Sequence, residues 1–360
     1  MDRKNTNASE ALRAYFSTPV SYCEPYGNGH INDTYLVVAD RRYILQRINT
    51  DVFPRPDELM ENIIGVTEHI RSRVTHDKKR ATIVIVPTLD KKSFFRDSSG
   101  NCWRLCEFTE HTVTFEKVEK PEDFYRCAIA FGKFQRLLAD YPAEKLHETI
   151  ANFHNTPVRY ENLMRAAERD VCGRRSEVEA DVEFAKARKA FCSILEDAHA
   201  KGELPLRVTH NDTKLNNILF DEVTSEPVCV VDLDTVMPGY SVNDFGDAIR
   251  FGANTANEAE TDYSRVSLDL ELFELFTKGF LEGCGGSLTK AEIELLPVGA
   301  VMMTLECGMR FLTDYLEGDV YFKIKRPKQN IERARNQFAL VADMEKKTDE
   351  MRTIVKKLSQ

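Results

Sequence analysis

Alternating apolar positions mark the first regular structure in the chain. Thr34 to Val38 and Arg42 to Leu45 form two apolar runs separated by Ala39-Asp40-Arg41, the pattern of a β-hairpin. The apolar spacing then lengthens, and a helix is expected from Arg55 to Arg73. Thr82 to Val86, bounded by Pro87, and Cys102 to Phe108 read as further strands. Residues 20–108 therefore predict a sheet carrying one helix, in the order β-β-α-β-β.

The period changes again at Pro121. Phe124, Cys127, Ala128, Phe131, Phe134 and Leu138 mark one helical face behind an N-terminal proline. Val178, Val182, Ala185, Phe191, Ile194, Leu195 and Ala198 predict another helix, stopped by Gly202 and Pro205. Helices resume from Leu268 to the end, and the basic segment from Arg326 to Lys357 is expected to be exposed on one face. A chain of 360 residues with 42% hydrophobic content exceeds one compact core. The reading is an α+β protein of two lobes, residues 1–108 and 109–360.

Charge narrows the partners. The net charge of −9 is spread along the chain, and no basic face of the kind a nucleic acid needs is concentrated anywhere. Nine scattered cysteines without a CxxC pair read as buried free thiols of a reducing cytosol. Cys102 and Cys106, on one expected strand, are assigned to packing. The N-terminus has no apolar h-region, and the most apolar stretch, Leu295 to Leu305, is too short to span a membrane. A cytoplasmic monomer with no membrane or nucleic-acid partner is expected.

The densest chemistry lies at residues 206–234. His210-Asn211-Asp212-Thr213-Lys214-Leu215-Asn216-Asn217 is followed by an apolar run ending in Asp232-Leu233-Asp234. Phosphoryl transfer needs a carboxylate to accept the acceptor's hydroxyl proton, and oxygen ligands to hold Mg²⁺ against the phosphates. Asp212 fits the base, and Asn217 and Asp232 fit the metal ligands. Asp234, two residues further on, could serve metal, substrate or neither. Asp244-Phe245-Gly246 spells a metal motif of protein kinases but falls 32 residues after Asp212, so Asp232 is preferred. Asp247 reads as a helix-start carboxylate.

Tyr26-Gly27-Asn28-Gly29-His30 precedes the first clear strand, where a loop covering nucleotide phosphates would belong. Gly27 and Gly29 would let backbone N–H groups approach the phosphates. No Gly-x-x-x-x-Gly-Lys-Ser/Thr loop occurs, which excludes a Walker-type kinase.

The H-x-D-x-x-x-x-N pattern with a strand-end Asp 20 residues after Asp212 resembles the catalytic and metal-binding segments of aminoglycoside phosphotransferases and choline kinases. That resemblance implies a bilobal, protein-kinase-like fold, with a small antiparallel N-lobe and a larger helical C-lobe. It makes His210 a positioning residue and Asp244 a brace of the catalytic loop. Kinase-like folds place a Lys on the third strand to clamp phosphates and meet a helix Glu; here Gln46 stands at that position. Glu61 is the candidate helix Glu, with an ordinary exposed Glu as the alternative. Backbone groups of Glu107, Phe108 and Thr109 would meet the adenine.

The stretches EPYGNGHIN, RYILQ, THNDTKLNNIL, DLDTVMPG, DFGDAIRFGA and ECGMRFLTDYLEGDVYF are similar to the N-acetylhexosamine 1-kinase branch of that family, which itself shows Gln at the clamp position. The similarity implies ATP- and Mg²⁺-dependent phosphorylation of GlcNAc or GalNAc at the anomeric hydroxyl. By position in those stretches, His30, Thr235, Arg310 and Tyr321 are candidate sugar contacts, beside Asp212. Kinases of choline, homoserine or aminoglycosides, and a catalytically silent nucleotide-binding module, are the alternatives.

Overall fold

The hairpin predicted over residues 34–45 forms, and the first sheet is built around it. A computed structural model of the chain describes residues 3–27, 31–115, 118 and 120–360. Its elements run α1 (Arg3–Tyr15), β1 (Tyr22–Pro25), β2 (Asp33–Val38), β3 (Arg42–Ile48), α2 (Pro56–Arg73), β4 (Ile85–Val86), β5 (Phe95–Arg96), β6 (Cys102–Glu107) and β7 (Thr112–Val113). The main sheet is antiparallel in the order β1-β2-β3-β6-β4, with β5 also paired to β6. Its register sets Thr34 opposite Gln46 and Gln46 opposite Arg104.

Alternation decides which face is buried. Tyr35, Val37, Tyr43, Leu45, Trp103 and Leu105 pack against Ala8, Ala11 and Tyr15 of α1, whose hydroxyl donates to the Trp103 carbonyl at 2.7 Å. The sequence pattern gave no warning of α1. The strand expected over 82–86 shortens to two residues, because β4 and β5 share one edge of β6. Helix α2 opens on Pro56, carries Asp57 and Glu58 in its first turn, and buries Leu59, Met60, Ile63, Val66 and Ile70.

The second stretch runs α3 (Pro121–Leu137), α4 (Thr156–Arg169), α5 (Glu179–Lys186), α6 (Ile194–Ala200) and β8 (Arg207–Thr209). Then follow β9 (Ile218–Asp221), β10 (Pro227–Val230) and β11 (Met237–Gly239). The chain ends in α7 (Ser241–Gly252), α8 (Leu270–Cys284), α9 (Lys290–Glu294), α10 (Leu296–Glu317), α11 (Gln329–Lys346) and α12 (Thr348–Leu358). β10, β9 and β7 form a three-stranded sheet, and β11 pairs with β8. The expected α+β class, with an antiparallel sheet and a helical C-terminal part, is the one observed.

Two compact units result. Met1–Val113 with Lys145–Ala151 and Leu219–Met237 form the first; Thr114–Glu144, Asn152–Ile218 and Pro238–Gln360 form the second. Buried Asn62 of α2 stitches the returning segments into the first unit. Its amide donates to the carbonyls of His147 (2.8 Å) and Val236 (3.0 Å) and accepts from the His147 N–H.

Two expectations are corrected, for the helix over 178–198 and for the cysteines. The single helix over 178–198 is two helices, α5 and α6, with a 3₁₀ turn at Phe191–Ser193 between them. The six-residue step from Ala185 to Phe191 fits neither i+3, i+4 nor i+7. The basic C-terminal segment forms α11 and α12, divided at Lys347, and α11 buries Ile331, Ala334, Phe338, Val341 and Met344 at helical spacing, which leaves exposure on one face uncontradicted. All nine cysteines are free, yet Cys172 is exposed and Cys23 and Cys307 are partly so. No helix among the described residues is long and apolar enough to cross a membrane.

The Asp244-Phe245-Gly246 triplet lies inside α7 and serves packing. Phe245 is fully buried among Phe273, Phe276 and Phe280. A Cβ on Gly246 would stand 2.2 Å from the Gly299 carbonyl oxygen of α10. Gly246→Ala should therefore force α7 and α10 apart and lower stability by about 1–3 kcal/mol, the cost of overpacking a filled core. Equilibrium denaturation checks this; an unchanged midpoint would contradict it.

Candidate active site

The turn from His210 to Asn217, expected to carry the base, belongs to the second unit, and α7 braces it. β8 leads into His210, whose buried ring stands edge-on to Phe131 and Phe134 at 5.5 and 5.9 Å and whose Nδ1 accepts the Asp212 N–H at 3.3 Å. Asp244 is 1% exposed. Its Oδ2 accepts from the His210 N–H (2.9 Å) and from Gln135 (2.8 Å), and its Oδ1 from the Asn211 N–H (2.8 Å). Burial raises the Asp244 pKa even so, with His210 and these donors opposing it. Asn211 sits in the left-handed region at φ +64°, a conformation that costs an L-residue about 1 kcal/mol and is held by these bonds.

Asp247 does not stand at a helix start. It lies mid-α7, where its Oδ2 accepts the Thr213 N–H at 3.0 Å and Arg250 donates twice to its Oδ1, at 3.1 and 2.6 Å. Burial alone would raise its pKa, but Arg250 and Lys214 hold it below the usual carboxylate range.

Asp212 presents a carboxylate with both oxygens engaged. Oδ1 meets the Lys214 ammonium at 2.5 Å, and Asn217 Nδ2 donates to the Asp212 carbonyl at 2.8 Å and to Oδ2 at 3.1 Å. Burial works against the Lys214 charge, yet Asp212 and Asp247 outweigh it and raise its pKa. Asp212 and Lys214 keep 27% and 35% of their side chains exposed, so both are open to a solute. Asn217 spends its amide donors on Asp212, which leaves Oδ1 as its atom for a cation.

In the first unit the position expected for a clamp lysine is occupied differently. Gln46 Oε1 accepts from Arg104 Nε (2.9 Å) and Nη2 (2.7 Å), while its Nε2 donates to Thr34 (3.2 Å). Arg104, 2% exposed, pairs through Nη1 with Asp234 Oδ1, and Asn32 donates to Asp234 Oδ2 at 2.5 Å. Asp234 is thus an anchor for a buried guanidinium, with both oxygens engaged. Burial works against the Arg104 charge, but Asp234 and Asp232 raise its pKa. Asp232 adopts the left-handed conformation, φ 57° and ψ 56°, ahead of the 3₁₀ turn Leu233–Thr235, and Thr235 is 7% exposed.

The remaining nucleotide candidates divide. Gly27 has φ +74°, and the ring of its neighbour Tyr26 stands 6.0 Å from Phe108. Gly29 and His30 lie outside the described residues. The N–H groups of Glu107 and Phe108 already donate to the carbonyls of Val84 (2.9 Å) and Arg42 (3.1 Å), so neither is available to adenine while those bonds persist. Glu61 is an exposed helix residue whose carboxylate meets His147 at 2.7 Å, and Gln46 bonds instead to Arg104 and Thr34.

Arg310 and Tyr321 come together in the second unit. The Arg310 guanidinium lies 5.0, 5.8 and 5.5 Å from the ring centroids of Phe153, Tyr321 and Phe322. It makes no hydrogen bond or ion pair to any described residue. Asp314, one helical turn along α10, accepts the N–H groups of Val320, Tyr321 and Phe322 at 2.7 to 2.9 Å, fixing the loop that carries two of those rings. Tyr321 remains 57% exposed. Arg104, Phe153, His154 and Asp314 were missed by sequence reasoning. Only Arg104 left a trace, as a charge inside the apolar strand Cys102–Glu107.

Among the described residues no group of three or more His, Cys, Asp or Glu could hold a metal ion. Reliance on few protein oxygens plus phosphate and water is the habit of Mg²⁺. The free amide oxygen of Asn217 and the carboxylate of Asp232 are of the hard type that suits it.

Known structures share the fold. The microcompartment-associated aminopropanol kinase aligns over 96% of this chain and 98% of its own, at 15% identity and a TM-score of 0.60. Aminoglycoside 2'-phosphotransferase-IIIa, solved with GDP, aligns over 98% and 99% at 13% identity and 0.59. Choline kinase from Cryptosporidium parvum Iowa II covers 100% of both chains at 14% identity and 0.57. The family model described as "phosphotransferase enzyme family" matches residues 23–272, and with more than half its length so matched the chain belongs to that family.

Proposed function

We propose that this phosphotransferase moves the γ-phosphoryl group of ATP onto the anomeric hydroxyl of an N-acetylhexosamine, GlcNAc or GalNAc. The observation that carries the choice of acceptor is the state of Arg310. Aromatic cages commonly receive a ligand's cation. Here Phe153, Tyr321 and Phe322 surround the protein's own guanidinium. A second cation, Arg159, stands near enough for Arg310 to depress its pKa, after the larger effect of burial. Such a pocket repels the amino alcohols named for the aminopropanol and choline kinases and offers several donors to the oxygens of a neutral sugar.

Asp212 takes the proton of the C1 hydroxyl as its oxygen attacks the γ-phosphorus and the bond to ADP breaks. An anomeric hydroxyl is more acidic than other sugar hydroxyls, so a carboxylate suffices as base. Lys214 holds that carboxylate in place at 2.5 Å. Asn217 and Asp232 would hold Mg²⁺, which would supply charge neutralisation at the phosphates. Gly27, Gly29, Gln46 and the segment Glu107 to Thr109 serve the nucleotide, the segment through groups other than the paired N–H groups of Glu107 and Phe108, with Arg104 holding the Gln46 amide. His30, Thr235, Arg310 and Tyr321 serve the sugar. ATP as co-substrate fits a cytoplasmic location.

The test is an acceptor panel followed by ADP release, comparing GlcNAc and GalNAc with choline, ethanolamine, homoserine and an aminoglycoside. The hexosamines should be turned over and the amines should not; turnover restricted to amines would sink the proposal. Arg310→Met should raise the hexosamine KM roughly 10- to 100-fold, the loss of hydrogen bonds from a charged group. An unchanged KM would remove Arg310 from the pocket.

A further inference from the structure

His154 lies outside every motif of the sequence and yet touches the catalytic turn. Its side chain is 8% exposed. Nδ1 stands 2.7 Å from Glu306 Oε1, and Nε2 stands 3.2 Å from the backbone carbonyl oxygen of Asn211. The Asn211 carbonyl can only accept, so Nε2 carries the hydrogen of that contact and donates to it. Glu306 is 1% exposed and also accepts from Thr156 at 2.7 Å. Burial alone would raise its pKa, but His154, then Arg310 and Arg159, hold it below the usual range.

We propose that His154 is a positioning residue which, through Glu306, ties the Asn211–Asp212 peptide to the stretch of α10 that carries Arg310. The inference rests on the kinase reading above. Asn211 is the strained residue immediately before the base, and a strained peptide keeps its orientation only when its surroundings fix it. Asp244 holds its N–H and His154 holds its carbonyl. The other end of the link is Glu306, one helical turn before Arg310 on α10. Without the ring the carbonyl of Asn211 loses this donor and the peptide is held less firmly, letting the Asp212 carboxylate move out of line. His154 hydrogen-bonds to none of the groups assigned to the acceptor or the nucleotide, so the loss falls mainly on the chemical step.

The test compares His154→Leu, His154→Gln and Glu306→Gln with the wild type under single-turnover and steady-state conditions, with ATP and GlcNAc. Should the wild type prefer another acceptor, the hexosamine reading fails and the same comparison is read with that acceptor. His154→Leu should lower kcat about 100-fold, the usual consequence of misplacing a reacting group by ~1 Å, with both KM values within about three-fold. His154→Gln, whose amide can still donate to the Asn211 carbonyl, should recover about ten-fold of that loss. Glu306→Gln keeps the side-chain volume and should lower kcat about ten-fold; it carries the test if His154→Leu does not fold. A kcat within about three-fold of wild type in a folded His154→Leu or Glu306→Gln protein would overturn the proposal, as would a rise in KM without a fall in kcat.

Discussion

Asp212→Asn should abolish transfer, with kcat falling about 10³- to 10⁴-fold, at the upper end of what a general base contributes. The substitution is nearly isosteric. An Asn side chain can still accept from Asn217 and lie beside Lys214, while His210, Asp244 and Thr213 continue to hold the backbone of the turn. What disappears is the capacity to take a proton and the negative charge facing the Lys214 ammonium. That ammonium retains Asp247 as an electrostatic partner, so the turn should remain folded. Nucleotide affinity, read by calorimetry, should change by less than about three-fold, because uniform binding is not what the base supplies. Turnover of Asp212→Asn within ten-fold of wild type would remove the residue from the role of base.

The second large effect is expected at Asp232. Asp232→Ala should raise the Mg²⁺ concentration for half-maximal activity at least about ten-fold and lower kcat roughly 10²- to 10³-fold, the scale of several kcal/mol of charge stabilisation at the phosphates. The fold should survive, since Arg104 keeps its direct ion pair with Asp234. Asp234 provides the contrast. Asp234→Ala leaves Arg104 as a buried, unpaired cation, and breaking such a pair costs about 3–5 kcal/mol, so that variant should fail by unfolding. Mg²⁺ titrations alongside thermal melts separate the two carboxylates. An Mg²⁺ dependence unchanged in Asp232→Ala would contradict its assignment as ligand.

The sequence made some elements legible because their patterns are local. The β2–β3 hairpin, α2 and α3 follow from alternation or helical spacing over fewer than twenty residues, with prolines at both helix starts. What escaped depends on partners far along the chain. Gln46 was placed correctly on its strand, but its amide belongs to Arg104, 58 residues away across a β-sheet register that no local pattern encodes. The return of Leu219–Met237 to the first unit was equally hidden, and with it the role of Asp234 as anchor. The setting of Arg310 needs Phe153 from one segment and an Asp314-braced loop from another. Asp247 misled for a different reason. A carboxylate near a helix start fits the helix dipole, but the structured residue answers to Arg250 and the Thr213 N–H instead.

The central claim is that a carboxylate base at residue 212 directs phosphate to the anomeric oxygen of a hexosamine. Phosphorus–carbon coupling in the NMR spectrum of the product, formed from ATP and GlcNAc labelled at C1, tests it most directly. The account predicts phosphorus coupled to C1 as the sole product with wild-type protein, and no such product with Asp212→Asn. Phosphate appearing on another hydroxyl, or a C1-phosphate formed equally well by Asp212→Asn, would contradict it.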